Sequence, residues 1–286
     1  MRHILLFLSV MVAAFAAPGA SAETTRPLVA VIDSGIARTA ELTPSLIAEY
    51  DLGSDAPRPL FQPAYDHGTM VATILLREAH HQVDIVSLRI DDPAGCPAGS
   101  YPPCQESPYR IADAIRKAGD LGVKAINMSL HLSDHPAILE AAREVAGKGV
   151  FFVLAAGNQG LDHPGNLAIA RATYPNSVIV GAVDGSGRPW SGTNRPDEDP
   201  RGYVYSWQPG VDVPTVGANG LPTLGTGTSL AAPVETARLL TAALPANDRL
   251  PATAAPPLTM NQARLRPATV TGAGGRSRLA GDPSRP

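Results

Sequence analysis

Val150-Phe151-Phe152-Val153-Leu154-Ala155 is an almost unbroken apolar run, closed by Ala156-Gly157-Asn158. A short run that is apolar at every position reads as a strand buried on both faces, which is the environment of a parallel sheet with a helix layer on each side. The flanking sequence agrees. Residues 136–147 place Ile138, Leu139, Ala142, Val145 and Ala146 at helical spacing and end in glycines. Residues 123–129 return to a strand. Residues 109–122 are helical again, with Ile111, Ala114, Ile115, Ala118 and Leu121 on one stripe. Residues 28–32, 83–90 and 178–183 are further apolar strands. Strands that alternate with helices in this way imply an α/β domain of three layers, a mostly parallel sheet flanked by helices.

The chain has 286 residues, enough for one large α/β domain. Its formal net charge of −3 and its 5% aromatic content argue against nucleic acid as a partner. Residues 1–22 read as a signal peptide: Arg2 and His3 start it, residues 4–17 are apolar, and Ala20-Ser21-Ala22 has the small residues that precede cleavage. The other reading is a short membrane anchor, but the apolar stretch is too short to span comfortably. The mature chain is then expected in a periplasm or outside the cell, with no membrane association after signal removal. Cys96 and Cys104 share one Pro/Gly-rich loop, and an oxidising compartment favours a disulfide between them. Free or metal-binding thiols are the alternative, but no histidine stands at zinc-ligand spacing. From about residue 245 the composition turns to Pro, Ala, Gly, Thr and Arg. Residues 251–286 read as a partly disordered tail, although 258–265 can still pack on the domain.

Three short segments carry chemistry. Asp33-Ser34-Gly35 follows the first strand, Asp66-His67-Gly68-Thr69 opens a helix-like run, and Gly227-Thr228-Ser229-Leu230-Ala231-Ala232-Pro233 opens another. A serine hydroxyl is a poor nucleophile until a histidine takes its proton and a carboxylate holds that histidine in one tautomer. The order Asp, His, Ser is that of the subtilisin arrangement. Each residue also has a plain role open to it: Asp33 as a turn residue, His67 as one of seven histidines, Ser229 as a helix cap.

With these segments in this order, the chain resembles the subtilases, the subtilisin-like serine proteases, over residues 28 to 244. Ala155-Ala156-Gly157-Asn158 extends the likeness. The resemblance implies a subtilisin-like catalytic domain over residues 23–250. It casts Ser229 as nucleophile, His67 as general base and acid, Asp33 as orienter and Asn158 as oxyanion donor. It implies no cofactor. Ile126-Asn127-Met128-Ser129-Leu130 resembles the family strand that pairs with extended substrate, so Ser129 and Leu130 would line one side of a cleft. Ala155, Ala156 and Gly157 would wall the pocket for the P1 side chain. Where the family continues in glycines, this chain has His131-Leu132. His131 either narrows the upstream subsites or turns to solvent. The loop 91–108 would form the opposite rim, stiffened by its disulfide or stapled against proteolysis. Glu235 is unusual for the family helix and either faces solvent or has a partner.

Asp197-Glu198-Asp199 lacks the ordered spacing of a calcium loop and reads as a solvated acidic turn, so no metal is expected. Only residues 23–27 separate the signal from the first strand, so folding without an attached propeptide is expected. A separate inhibitor or chaperone chain is then a possible partner, beside a peptide or protein substrate, and the molecule is expected to be a monomer. Two functions stay open: a serine endopeptidase, or a catalytically inert or partner-dependent peptide-binding protein on the same fold. A nucleotide-binding domain is disfavoured, because Asp33-Ser34-Gly35 is not a glycine-rich phosphate loop.

Overall fold

Seven parallel strands form the centre of the molecule, in the order β2-β3-β1-β4-β5-β6-β7. They are β1 (Leu28–Asp33), β2 (Leu46–Asp51), β3 (Asp84–Arg89), β4 (Ala125–Met128), β5 (Phe151–Ala155), β6 (Ser177–Val183) and β7 (Tyr205–Pro209). The structure is a computed structural model and describes residues 26–98, 100, 102–198 and 201–242. The signal peptide and the C-terminal tail read from the sequence lie outside the described residues, as does Asp199 of the acidic turn.

Residue alternation along each strand sends neighbours to opposite faces. In β1, Ala30 and Ile32 join the core beneath α2 (Pro108–Asp120), α3 (Pro136–Gly147) and α4 (Leu167–Thr173). Val29 and Val31 join the core beneath α1 (His67–Glu78) and α5 (Thr228–Ala242). Both faces are therefore covered, which is why β5 carries almost no polar residue. The buried stripe of α3 is Ile138, Ala141, Ala142, Val145 and Ala146, with Leu139 only partly buried, a small correction to the sequence reading. Pro136 starts that helix and Pro108 starts α2, each at a position where the missing N–H costs nothing.

The sequence reading did not place β2, β7, α4 or the antiparallel pair β8 (Val213–Val216) and β9 (Pro222–Gly225). β2 and β7 are the edges of the sheet and carry polar residues. β8 and β9 are short and contain proline, which reads against a strand. Buried Glu49 on β2 accepts hydrogen bonds from Ser87 Oγ at 2.8 Å and the Ile36 N–H at 3.2 Å. A buried carboxylate is stable only with such donors. These bonds also tie the edge strand to the turn that follows Asp33.

The chain starts at β1, adds β2 and β3 on one side, then crosses to build β4 to β7 on the other. This reversal opens a crevice at the carboxyl ends of the strands around β1, where such sheets place their ligands.

Candidate active site

Asp33 ends β1 and His67 begins α1, so two separate elements must be docked to bring them together. Small residues allow it. A Cβ on Gly68 would lie 2.3 Å from the Gly35 carbonyl oxygen, so only glycine lets the start of α1 press against the turn after Asp33. The Ala37 N–H donates to Thr69 Oγ1 at 3.0 Å and secures the same contact. His67 Nδ1 then meets both Asp33 oxygens, at 2.9 and 3.0 Å. The Asp33 side chain is 1% exposed and that of His67 is 19% exposed. The Ser34 N–H and hydroxyl donate to Asp33 Oδ1 at 2.7 and 3.1 Å, so the carboxylate is held by its neighbour as well as by the ring.

Burial disfavours the His67 imidazolium. The charge of Asp33 and its hydrogen bond outweigh this and raise the His67 pKa above the ordinary histidine value. Asp33 thus fixes the tautomer, with Nδ1 as donor, and leaves Nε2 free to act as base.

Ser229 lies in the first turn of α5 and lines the same groove as His67, a space of about 910 Å³. Among the described residues no hydrogen bond joins Ser229 Oγ to His67. Catalytic hydrogen bonds are often looser before substrate arrives. Asn158 faces Ser229 from beyond the end of β5. Its Oδ1 accepts from the Thr228 N–H and from Thr228 Oγ1, both at 2.9 Å. That fixes the amide with Nδ2 as an unengaged donor. A Cβ on Gly227, whose φ is +146°, would come within 3.1 Å of that nitrogen. The Ser229 N–H, at the start of the helix, likewise has no partner among the described residues. Two free N–H donors beside a serine hydroxyl are what a developing oxyanion requires.

Ser129, Leu130, His131, Ala155 and Gly157 all line the groove. Ala156 does not; it is fully buried in the core. His131 is exposed at the rim, whereas Leu132 points inward. The opposite rim is the 91–108 loop, with Pro102, Pro103 and Cys104 on the groove. Cys96 and Cys104 form the disulfide, with Cα atoms 5.4 Å apart. Chain entropy assigns a crosslink over so short a loop about 2–3 kcal/mol. Tyr65 Oη accepts from the Cys96 N–H at 2.8 Å and anchors the loop near α1. Glu235 is buried and accepts from Ser206 Oγ, Gln208 Nε2 and Arg238, so it has partners rather than solvent.

Some site residues were not legible in the sequence. Asn166 sits in the left-handed region at φ 58° and is buried. Its Nδ2 donates to the Leu130 and Ala155 carbonyls, both at 2.9 Å, and its Oδ1 accepts from the Leu132 N–H at 2.8 Å. It therefore braces both walls of the groove at once. Asparagine tolerates that backbone well, but one loop asparagine is a weak signal. Thr228 was quoted only as part of a motif, and its role as the clamp on Asn158 follows from the geometry alone.

An alanine at 158 removes the side-chain donor and leaves the helix N–H. The expected result is a fall in kcat of about a hundred- to a thousandfold at similar KM, read by steady-state peptide hydrolysis. A change confined to KM would assign Asn158 to binding instead.

The subtilase family model matches residues 24–281 of this chain. A thermophilic serine proteinase of Bacillus sp. (strain AK1) is 31% identical over 207 residues, covering 72% of this chain and 49% of that protein. Subtilisin-like protease 2 of Trichophyton rubrum is 28% identical over 189 residues, covering 64% of this chain and 42% of that protein. The chain thus spans about half the length of these curated relatives. Among solved structures, a cold adapted subtilisin-like serine proteinase superposes with a TM-score of 0.60 at 21% identity, covering 74% of this chain and 73% of the other. A prenylagaramide maturation protease gives 0.59 at 21% identity, covering 76% and 75%. At that identity the superpositions speak for the fold, while the family model, over nearly the whole described sequence, speaks for descent: the chain belongs to the subtilase family.

Proposed function

We propose that this protein is an exported serine endopeptidase. The observation that carries the reading is the buried Asp33 carboxylate on His67 Nδ1, in one groove with Ser229 and two unengaged oxyanion donors. Ser229 Oγ attacks the scissile carbonyl and His67 Nε2 takes its proton. Asn158 Nδ2 and the Ser229 N–H receive the oxyanion. His67 then protonates the leaving amine, the acyl-enzyme forms, and water activated by His67 releases the second product. No cofactor is called for.

Backbone geometry supports an extended peptide as substrate. Asn166 consumes the Leu130 carbonyl and the Leu132 N–H. The His131 N–H and carbonyl, between these two groups, have no partner among the described residues. A substrate strand can pair there, which reads chain shape before side-chain identity. Export rests on the leader-like residues 1–22. No helix among the described residues is long and apolar enough to cross a membrane. A monomer acting on a peptide or protein substrate is part of the same proposal.

The second reading, an inert or partner-dependent peptide-binding protein, rests on the unmade Ser229–His67 hydrogen bond. Incubation with a peptide mixture, followed by mass spectrometry of the products, separates the two. Internal cuts absent from Ser229→Ala support the endopeptidase; bound but intact peptides support the binder. The same mixture tests His131, which we place as a restriction on the residues upstream of the cut. His131→Gly is expected to broaden the preference at those positions. An identical cleavage profile would remove His131 from the account.

A further inference from the structure

An α-helical carbonyl is normally satisfied by the N–H four residues on. For Ser229 that residue is Pro233, which has no N–H. The helix therefore leaves unpartnered the carbonyl of the very residue that carries the candidate nucleophile. The Ser129 hydroxyl fills the gap, donating to the Ser229 carbonyl oxygen at 2.8 Å. Ser129 Oγ in turn accepts from Asn127 Nδ2 at 2.9 Å. Asn127 is fully buried on β4, and its Oδ1 accepts from Thr236 Oγ1 at 2.9 Å. Thr236 is fully buried on α5, nearly two turns beyond Ser229.

The relay has a direction. Ser129 has one proton, and the Ser229 carbonyl can only accept, so Ser129 must accept from Asn127. That assigns Nδ2 to Ser129 and leaves Asn127 Oδ1 needing a donor. The one proton on Thr236 can go to Asn127 or to the Ala232 carbonyl at 3.0 Å. Only the first choice gives the buried Asn127 Oδ1 a donor.

From this we infer that Asn127 and Thr236 are positioning residues, which set the orientation of the Ser229 helix turn through the Ser129 hydroxyl. The inference rests on Ser229 being the nucleophile. The relay starts on α5, crosses to β4 and returns to α5, so it locks the helix register against the sheet that carries the rest of the groove. Misplacing a reacting group by a fraction of an ångström slows chemistry more than it weakens binding.

The test is kcat and KM for an internally quenched peptide with wild type, Thr236→Val, Thr236→Ser and Ser229→Ala. Valine keeps the shape of threonine and removes the donor; serine keeps the donor and removes the methyl. Thermal unfolding of each variant confirms that it is folded. The expected result is a fall in kcat of about tenfold for Thr236→Val, with KM within about twofold and kcat restored within about twofold by Thr236→Ser. Wild-type kcat in Thr236→Val would overturn the inference while leaving the endopeptidase intact. So would equal losses in the valine and serine variants, which would make the residue one of packing, or a loss in KM alone. If Thr236→Val does not fold, Asn127→Asp, which cannot donate to Ser129 when ionised, must show the same loss in kcat or the inference falls. Peptide hydrolysis unchanged by Ser229→Ala, or absent in wild type, would instead overturn the nucleophile assignment and this inference with it.

Discussion

Replacing His67 by alanine is expected to lower kcat for peptide hydrolysis by about a millionfold, close to the loss on removing the nucleophile itself. The size follows from how the groups act together. Without a base, Ser229 keeps its proton at neutral pH and cannot attack. Asp33 then has no imidazolium to stabilise, so its contribution disappears too. What survives is the binding groove and the two oxyanion donors, worth about a thousandfold or more over water. Fold stability is expected to fall as well, because the buried Asp33 carboxylate loses its His67 partner and keeps only the Ser34 donors. A His67→Ala protein that keeps more than about a hundredth of wild-type kcat would place the base elsewhere. Among the histidines, His131 also lines the groove, and a double variant would identify it.

Replacing Asp33 by asparagine is expected to cost about ten-thousandfold in kcat while leaving the protein folded. An amide fits the same space but presents an N–H donor toward the ring. That favours the imidazole tautomer with its proton on Nε2, where it cannot accept from Ser229. The variant also changes the pH profile in a direction the wild-type geometry dictates. Burial alone pushes the His67 pKa down, and Asp33 raises it past the ordinary value of about 6.5. The working base is the neutral ring. Wild-type kcat/KM should therefore be full above the raised pKa and fall as pH drops through it, with an acid limb centred above about 6.5. In Asp33→Asn the limb should move to lower pH, because only the burial effect remains. A limb that stays in place would mean that some other group titrates there.

Much of this was legible in the sequence because the signals are local. Val153 and Leu154 announce a strand covered on both faces, and Ile111, Ala114 and Ile115 announce a helix with one buried stripe. Gly68 beside His67 leaves room for a close backbone approach, and the Gly35 carbonyl is what approaches. The edges of the sheet were hidden for a physical reason. Ser206 and Gln208 on β7 are polar because they serve Glu235 on a distant helix, so no periodicity betrays the strand. Asn166 was hidden in the same way, since its value lies in three bonds to segments far away in the chain. The relay beneath Ser229 falls between these cases. Pro233, four residues after Ser229, signals an unpaired carbonyl, but only the fold shows that Ser129 answers it.

The central claim is that Asp33, His67 and Ser229 work as one activated nucleophile. Covalent labelling by a fluorophosphonate tests it without knowledge of the natural substrate, because the probe reacts with a serine only when its hydroxyl is activated. The purified protein and its Ser229→Ala variant are treated in parallel, and the modified peptide is located by mass spectrometry. The account predicts near-stoichiometric labelling at Ser229 in the wild type and none in the variant. Folded wild-type protein that stays unlabelled, or that is labelled at another serine, would contradict it.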